Sequence, residues 1–265
     1  MSRTLRVAAV SPPIRTGALD ANLATIERAV MDAAAAGAAL IVLPELATSG
    51  YSLASPDEAR AAALHGEDER LAALGRDLPD GAVAVIGFAE LAEDSLANSA
   101  AVLTADGVLG VYRKVHLWGD EPDLWMPGAA AAPVLETPVG RLGVAICYDN
   151  EFPEVPRALA LQGAEVLALP SNWPLVPRPA GERAPEVVQA MAAARSSRLP
   201  VVVADRHGSE RGVEWTGGSC IVSAEGWVVA ASPAGPLHAE VEIPGDRRLG
   251  PRNDALADRR PEHYR

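Results

Sequence analysis

Gly37-Ala-Ala-Leu-Ile-Val-Leu-Pro44 decides the fold, because it returns further along the chain as Gly163-Ala-Glu-Val-Leu-Ala-Leu-Pro170. In each copy an Ala-rich stretch ends at the glycine, a run of branched aliphatic residues follows, and a proline closes it. A short continuous apolar run bounded by such breakers reads as a fully buried strand. A strand fed by a helix is the unit from which parallel sheets are assembled. Two copies predict two α/β halves, each a mixed sheet with helices outside it.

The rest of the chain extends these two centres. Residues 5–10 read as a first strand. Asp20 and Asn22 offer caps for a helix over about 22–36, with Leu23, Ile26, Val30 and Ala34 at helical spacing. Residues 56–78 look helical in two pieces broken near Gly66. Strands are expected over 83–89, 99–104, 108–113, 134–136 and 142–146, and a long helix over about 184–198. Further strands are expected over 201–204, 218–223, 227–231 and 237–242, with Ala105-Asp-Gly107 and Ala224-Glu-Gly226 as turns. No linker or low-complexity segment interrupts the pattern, so a single domain over 1–265 is expected. After Pro244 the chain turns polar and Arg-rich, and residues 247–265 read as a tail.

Composition narrows the function. Hydrophobic residues make up 49% of the chain but aromatics only 4%, so the core must be mainly Ala, Val and Leu. The formal net charge of −12 argues against nucleic acid or an anionic membrane as partner, since both need a basic face. The N-terminal residues lack an apolar segment followed by a small-residue cleavage site. No run approaches the ~20 apolar residues of a membrane span. A cytoplasmic location follows as an expectation, and there the two cysteines, Cys147 and Cys220, would stay unpaired. No Cys/His spacing suggests zinc, and the glycines form neither a Walker nor a dinucleotide loop, so neither metal nor cofactor is expected.

The chemistry sits at strand ends. Of 23 basic side chains one is lysine, Lys114, in Val111-Tyr-Arg-Lys-Val-His-Leu117. A chain that uses arginine almost everywhere and keeps one lysine beside Arg113 points to a need for a compact ammonium rather than a planar fork. Glu45 follows the strand that ends at Pro44. Cys147 lies at the end of Leu142-Gly-Val-Ala-Ile-Cys-Tyr-Asp149. Ligands of open α/β sheets gather outside the carboxyl ends of strands, where these three groups would converge. A nearby ammonium favours a thiolate, and a carboxylate can accept a thiol proton during attack.

With those residues in place, the chain resembles the nitrilase superfamily of carbon–nitrogen hydrolases and its Glu-Lys-Cys triad. The matching pieces are Leu43-Pro-Glu45, Tyr112-Arg-Lys-Val-His-Leu117 and Cys147-Tyr-Asp-Asn-Glu-Phe-Pro-Glu154, in the family's order, and the likeness runs from Arg6 to the tail. The resemblance implies a four-layer α-β-β-α sandwich of two mixed sheets. It also implies Cys147 as nucleophile, Glu45 as general base, and Lys114 as oxyanion donor helped by a backbone N–H near Tyr148. Glu121, seven positions after Lys114, matches a second carboxylate that positions substrate or assists the base. Homodimers or larger assemblies, joined in part by the C-terminal segment, are implied as well.

Tyr148-Asp149 after the nucleophile looks like the amidase branches, whereas nitrilases proper typically carry Trp-Glu. A small aliphatic carboxamide is therefore the expected substrate, split to carboxylate and ammonia. Nitrile hydrolysis, N-carbamoyl cleavage and acyl transfer to an amine are the alternatives. Ser171-Asn-Trp-Pro174 should line the pocket, with Asn172 and Trp173 touching substrate together with Tyr51 and Tyr148; Trp118 and Trp125 are further candidates. Asp149 and Arg157 read as an ion pair bracing the nucleophile loop. His116 and Cys220 read as structural.

Overall fold

A computed structural model describes residues 2–264. In chain order it contains β1 (Arg3–Ala9), α1 (Leu19–Ala35), β2 (Leu40–Val42), α2 (Pro56–Ala61), α3 (Glu69–Ala73), β3 (Val83–Ala92), β4 (Ser95–Thr104), β5 (Gly107–Arg113), β6 (Val134–Thr137), β7 (Gly140–Val144), α4 (Glu154–Leu161), β8 (Val166–Ser171), α5 (Pro185–Ser197), β9 (Val201–Asp205), the short hairpin β10 (Ser209–Glu210) and β11 (Val213–Glu214), β12 (Cys220–Val222), β13 (Val228–Ala231) and β14 (Leu237–Ile243).

Two six-stranded mixed sheets form, ordered β14-β1-β2-β3-β4-β5 and β13-β12-β9-β8-β7-β6. The sequence repeat is visible in them: β2 and β8 are each the centre of a parallel trio, β1-β2-β3 and β7-β8-β9. Strand alternation sorts the first sheet's side chains between two layers. Val7, Ala9, Leu40, Val42 and Val85 face the second sheet, in one apolar cluster with Val144, Leu167 and Val203. Ala8, Ile41, Leu43, Ala84 and Ile86 face outward onto Leu23, Ile26 and Val30 of α1. Leu159 of α4 and Ala190 of α5 cover the far side of the second sheet. The result is the α-β-β-α sandwich. No helix among the described residues is long and apolar enough to cross a membrane.

Several details differ from the sequence reading. The first long helix starts at Leu19 without a side-chain cap. Asn22 is buried instead, bonding Arg15 through both its amide atoms and donating to Thr48 O at 3.0 Å, so it tethers the loop that follows Glu45. β3 and β4 run longer than expected. Glu90 interrupts the apolar pattern, yet it is buried and satisfied across the sheet by Ser99 at 2.6 Å and by Arg113 at 2.8 Å. β14 leaves the second half and pairs antiparallel with β1, from Arg3 opposite Ile243 to Ala9 opposite Leu237. The polar segment after it docks on its own chain. Arg247 donates to Ala160 O at 3.1 Å and also to Ala164 O, and Arg157 donates to Ala255 O at 2.6 Å.

One glycine decides whether the site can form. A Cβ on Gly87 in β3 would lie 2.4 Å from Pro44 O and 2.6 Å from Glu45 Cα. β3 therefore passes against the Glu45 turn at a distance only glycine permits.

Candidate active site

Loops leaving the carboxyl ends of β2, β7 and β8 bring Glu45, Cys147 and Asn172 together, with Lys114 arriving just past β5. The two copies of the repeat meet there, the Glu45 N–H reaching Ser171 O at 3.4 Å. The turns after β2 and β7 each hold a non-glycine residue in the left-handed region: Leu46 at φ 49° and Cys147 at φ 47°. Such residues persist where the surroundings over-determine them, and they concentrate at functional sites.

Lys114 and Glu45 have no exposed surface, and Glu121, in a 3-10 turn over Glu121–Asp123, is nearly as buried. The Lys114 ammonium donates to Glu45 Oε1 at 2.7 Å and to both oxygens of Glu121 at 2.8 Å. Burial by itself would lower its pKa, but the carboxylates of Glu45 and Glu121 hold it above the ordinary lysine value, so it stays charged. Glu121 is fixed further by the Tyr51 hydroxyl at 2.8 Å and the Trp118 N–H at 2.8 Å.

Glu45 is divided between two tasks. Oε1 accepts from Lys114 and, at 2.7 Å, from the Asn98 amide, whereas Oε2 is buried with no partner. Burial is the largest influence on this carboxyl and pushes it up, Lys114 pulls it down, Glu121 pushes it up again, and the result is about 7. A base poised near neutrality suits proton transfer at physiological pH.

Cys147 opens the 3-10 turn Cys147–Glu151 and is buried. Burial, then the Glu45 charge, raises its thiol well above the ordinary range, against the pull of Lys114 and of the Asn172 N–H on the sulfur. The resting group is therefore a thiol rather than a thiolate. The Tyr148 N–H lies in the first turn of the same helix, where N–H groups have no partner within the helix.

Asp149 ties the Cys147 turn to the Lys114 segment. Its Oδ2 accepts from the Tyr112 hydroxyl at 2.8 Å and from the Ile146 N–H at 3.0 Å. Its Oδ1 accepts from the His116 N–H at 3.0 Å and meets His116 Nδ1 at 2.8 Å. One buried carboxylate thus joins the residue before Cys147 to the segment just after Lys114. Arg157, expected as its partner, bonds Ala255 O instead, because α4 turns it toward the C-terminal segment. His116 stacks on Phe152 with ring centroids 3.8 Å apart, as a structural histidine would.

A cavity of about 290 Å³ ends on Glu121 and is lined by Tyr51, Trp118, Trp125 and Trp215 among others. Tyr51 was expected there. Trp173 does not line it: it is buried in the second sheet's apolar cluster, and its backbone N–H donates to Asp205 Oδ1 at 2.8 Å. Gly218 makes room for its ring, since a Cβ there would lie 2.9 Å from it. Tyr148 stands beside the cavity, edge-on to Trp118 at 4.9 Å, without lining it. Asn172 is buried, and both polar atoms of its side chain lack partners.

Three features were missed in the sequence. Asn98 is the polar break in the apolar strand run Leu96-Ala-Asn-Ser-Ala-Ala-Val-Leu103, which was the available signal. Trp215 carried none. The third is the buried Arg206–Glu210 ion pair. Glu210 accepts from the Tyr51 and Ser52 N–H groups at 2.8 and 3.0 Å, and Arg206 donates to Leu46 O at 3.4 Å, so the pair pins the loop that carries Glu45 and Tyr51.

The family model for carbon–nitrogen hydrolases matches residues 6–244. A nitrilase of Pyrococcus abyssi is 35% identical, over 92% of this chain and 93% of its own length. An N-carbamoylputrescine amidase of Arabidopsis thaliana is 31% identical, over 93% of this chain and 90% of its own. Among solved structures, a variant of the amidase from Nesterenkonia sp. holds the acetamide moiety of fluoroacetamide covalently on its active-site cysteine. It aligns with a TM-score of 0.80 at 27% identity, covering 98% of this chain and 95% of that one.

Proposed function

The chain belongs to the carbon–nitrogen hydrolase family, and from that premise we propose that it hydrolyses a small aliphatic carboxamide to carboxylate and ammonia through a thioester on Cys147. The observation that carries this reading is the division of Glu45, with one oxygen locked to Lys114 and Asn98 and the other free to take a proton. Glu45 Oε2 removes the thiol proton as sulfur bonds to the amide carbon. The carbonyl electrons move to oxygen, where the Lys114 ammonium and the Tyr148 N–H meet them. Collapse breaks the carbon–nitrogen bond, and Glu45 hands its proton to the departing nitrogen. Water, deprotonated by Glu45, then attacks the thioester and releases carboxylate, and the thiol recovers its proton. Glu121 holds Lys114 in place and forms the inner end of the cavity. At about 290 Å³ that cavity is small for a ligand site, where roughly 300–1,000 Å³ is usual, which supports a short substrate.

N-carbamoyl cleavage is the second reading, supported by the name of the Arabidopsis relative. Ammonia release from a panel of amides, nitriles and N-carbamoyl compounds tests both. Turnover of nitriles or N-carbamoyl compounds with none of amides overturns the first.

The pH profile follows from Glu45. The base works ionised, and its carboxyl is pushed up to about 7. Ionisation is lost as pH falls through that value, so kcat/KM is expected to drop about tenfold per pH unit below it. The thiol lies too high to add a basic limb near neutrality. An acid limb centred near pH 4, the ordinary glutamate range, removes Glu45 from the role of base.

We also propose self-association. α4 and α5 pack side by side and leave Leu161 and Val188 about half exposed. The docked C-terminal segment lies next to them. Light scattering is expected to give at least a dimer at micromolar concentration, and a monomeric mass overturns this.

A further inference from the structure

The walls of the cavity speak to what lies beyond the scissile bond. Beyond Glu121 they are mostly apolar, with Tyr51, Trp118, Trp125 and Trp215 among them, and no basic side chain lines them. Tyr51 and Trp215 meet edge to face with centroids 5.4 Å apart, and Trp118 stands at the mouth with 46% of its surface exposed. Asp120, exposed beside Trp118, also lines the cavity, and no ion pair among the described residues includes it. Farther in, one ammonium, Lys114, faces two carboxylates, Glu45 and Glu121. The inner end therefore carries net negative charge when Glu45 is ionised, and the mouth adds another negative charge. The other basic group close by, Arg206, is consumed by Glu210.

We propose that the substrate carries a cationic tail, an alkylammonium, which lies across the Trp118 and Trp215 faces with its charge toward Asp120. This rests on the amidase reading of the same site and deepens it. A cation over an aromatic face is attracted by the ring's negative centre, most strongly on tryptophan and where water is excluded. A neutral tail gains only apolar contact. A carboxylate tail would meet like charge at both ends of the cavity without a guanidinium or ammonium to receive it.

Three amides of similar length separate these cases: 6-aminohexanamide, heptanamide and adipamate. The expected order of kcat/KM is cation above neutral above anion, with the cation ahead of the neutral amide by about tenfold, the upper part of the range for a partly desolvated cation–aromatic contact. Added salt should narrow the gap, since screening weakens exposed charge pairs. Asp120→Asn and Trp118→Ala should each reduce the cation-to-neutral ratio at least about threefold. Binding supplies an arm that needs no turnover: Cys147→Ala protein titrated with pentylammonium and with 1-pentanol, followed by tryptophan fluorescence, should favour the ammonium. Preference for the ammonium without hydrolysis of any amide supports the cation subsite and overturns the amidase reading. Hydrolysis with equal or better use of heptanamide overturns the cation subsite and leaves the amidase reading standing. A ratio unmoved by both substitutions also overturns it.

Discussion

Cys147→Ala protein is expected to release no ammonia above background from any amide the parent consumes, while remaining folded. Among the described groups at the centre of the site the sulfur is the one suited to carry an acyl intermediate: the free oxygen of Glu45 is the base that takes the thiol proton, both oxygens of Glu121 accept from Lys114, and the Lys114 ammonium has no lone pair to offer. Removing one small buried atom costs on the order of 1 kcal/mol of stability, well within the reserve of a chain this size. Alanine meets the same left-handed backbone that cysteine already tolerates at φ 47°. Circular dichroism and the melting temperature should therefore change little. The contrast is Cys220, which is likewise buried and whose thiol burial pushes up to about 12. No ammonium neighbours it, so Cys220→Ala should keep substantial activity. Parent enzyme quenched during turnover should carry the acyl mass on the peptide containing Cys147. Loss of catalysis in folded Cys220→Ala protein, with activity persisting in Cys147→Ala, overturns the assignment.

What could be read from the sequence was whatever depends on residues near one another in the chain. The repeated helix–glycine–strand–proline unit located the centre of each sheet, because burial on both faces leaves a continuous apolar run. Strand ends then pointed to Glu45, Lys114 and Cys147. Local pattern failed wherever a side chain takes its partner from across the fold. Glu90 looked like the end of a strand until Ser99 and Arg113 satisfied it from neighbouring strands. Asn22 looked like a helix cap, and the fold spends it on Thr48. Trp173 follows Asn172 and seemed destined for the pocket. Gly218, far along the chain, leaves the room that draws its ring inward, and Trp215, from the segment after a distant hairpin, lines the cavity instead. The tie from Asp149 to His116 and Tyr112 joins segments that no periodicity connects.

Lys114→Arg is expected to lower kcat by at least about 10²-fold, the loss that follows removal of one oxyanion donor in other enzymes. Charge cannot be the cause, since the ammonium is held protonated and a guanidinium is always so. Shape is. The ammonium is a single point that reaches Glu45 Oε1 at 2.7 Å and both oxygens of Glu121 at 2.8 Å while fully enclosed. A planar fork would engage Glu121 with two parallel bonds, its preferred geometry with a carboxylate, and so leave Glu45. The oxyanion then loses its donor and the base loses the contact that orients its free oxygen. Because the defect lies in the reacting geometry rather than in the tail's cavity, kcat should fall far more than KM rises. Lys114→Met goes further. It strands two buried carboxylates, and breaking a buried pair this way costs about 3–5 kcal/mol, so the melting temperature should fall where the arginine variant's falls little. Lys114 also holds the Glu45 carboxyl down. In any residual activity of the methionine variant the acid limb should therefore move above pH 7. Near-parent kcat in Lys114→Arg would reduce the lysine to a counter-ion for Glu121 and leave the oxyanion to backbone N–H groups.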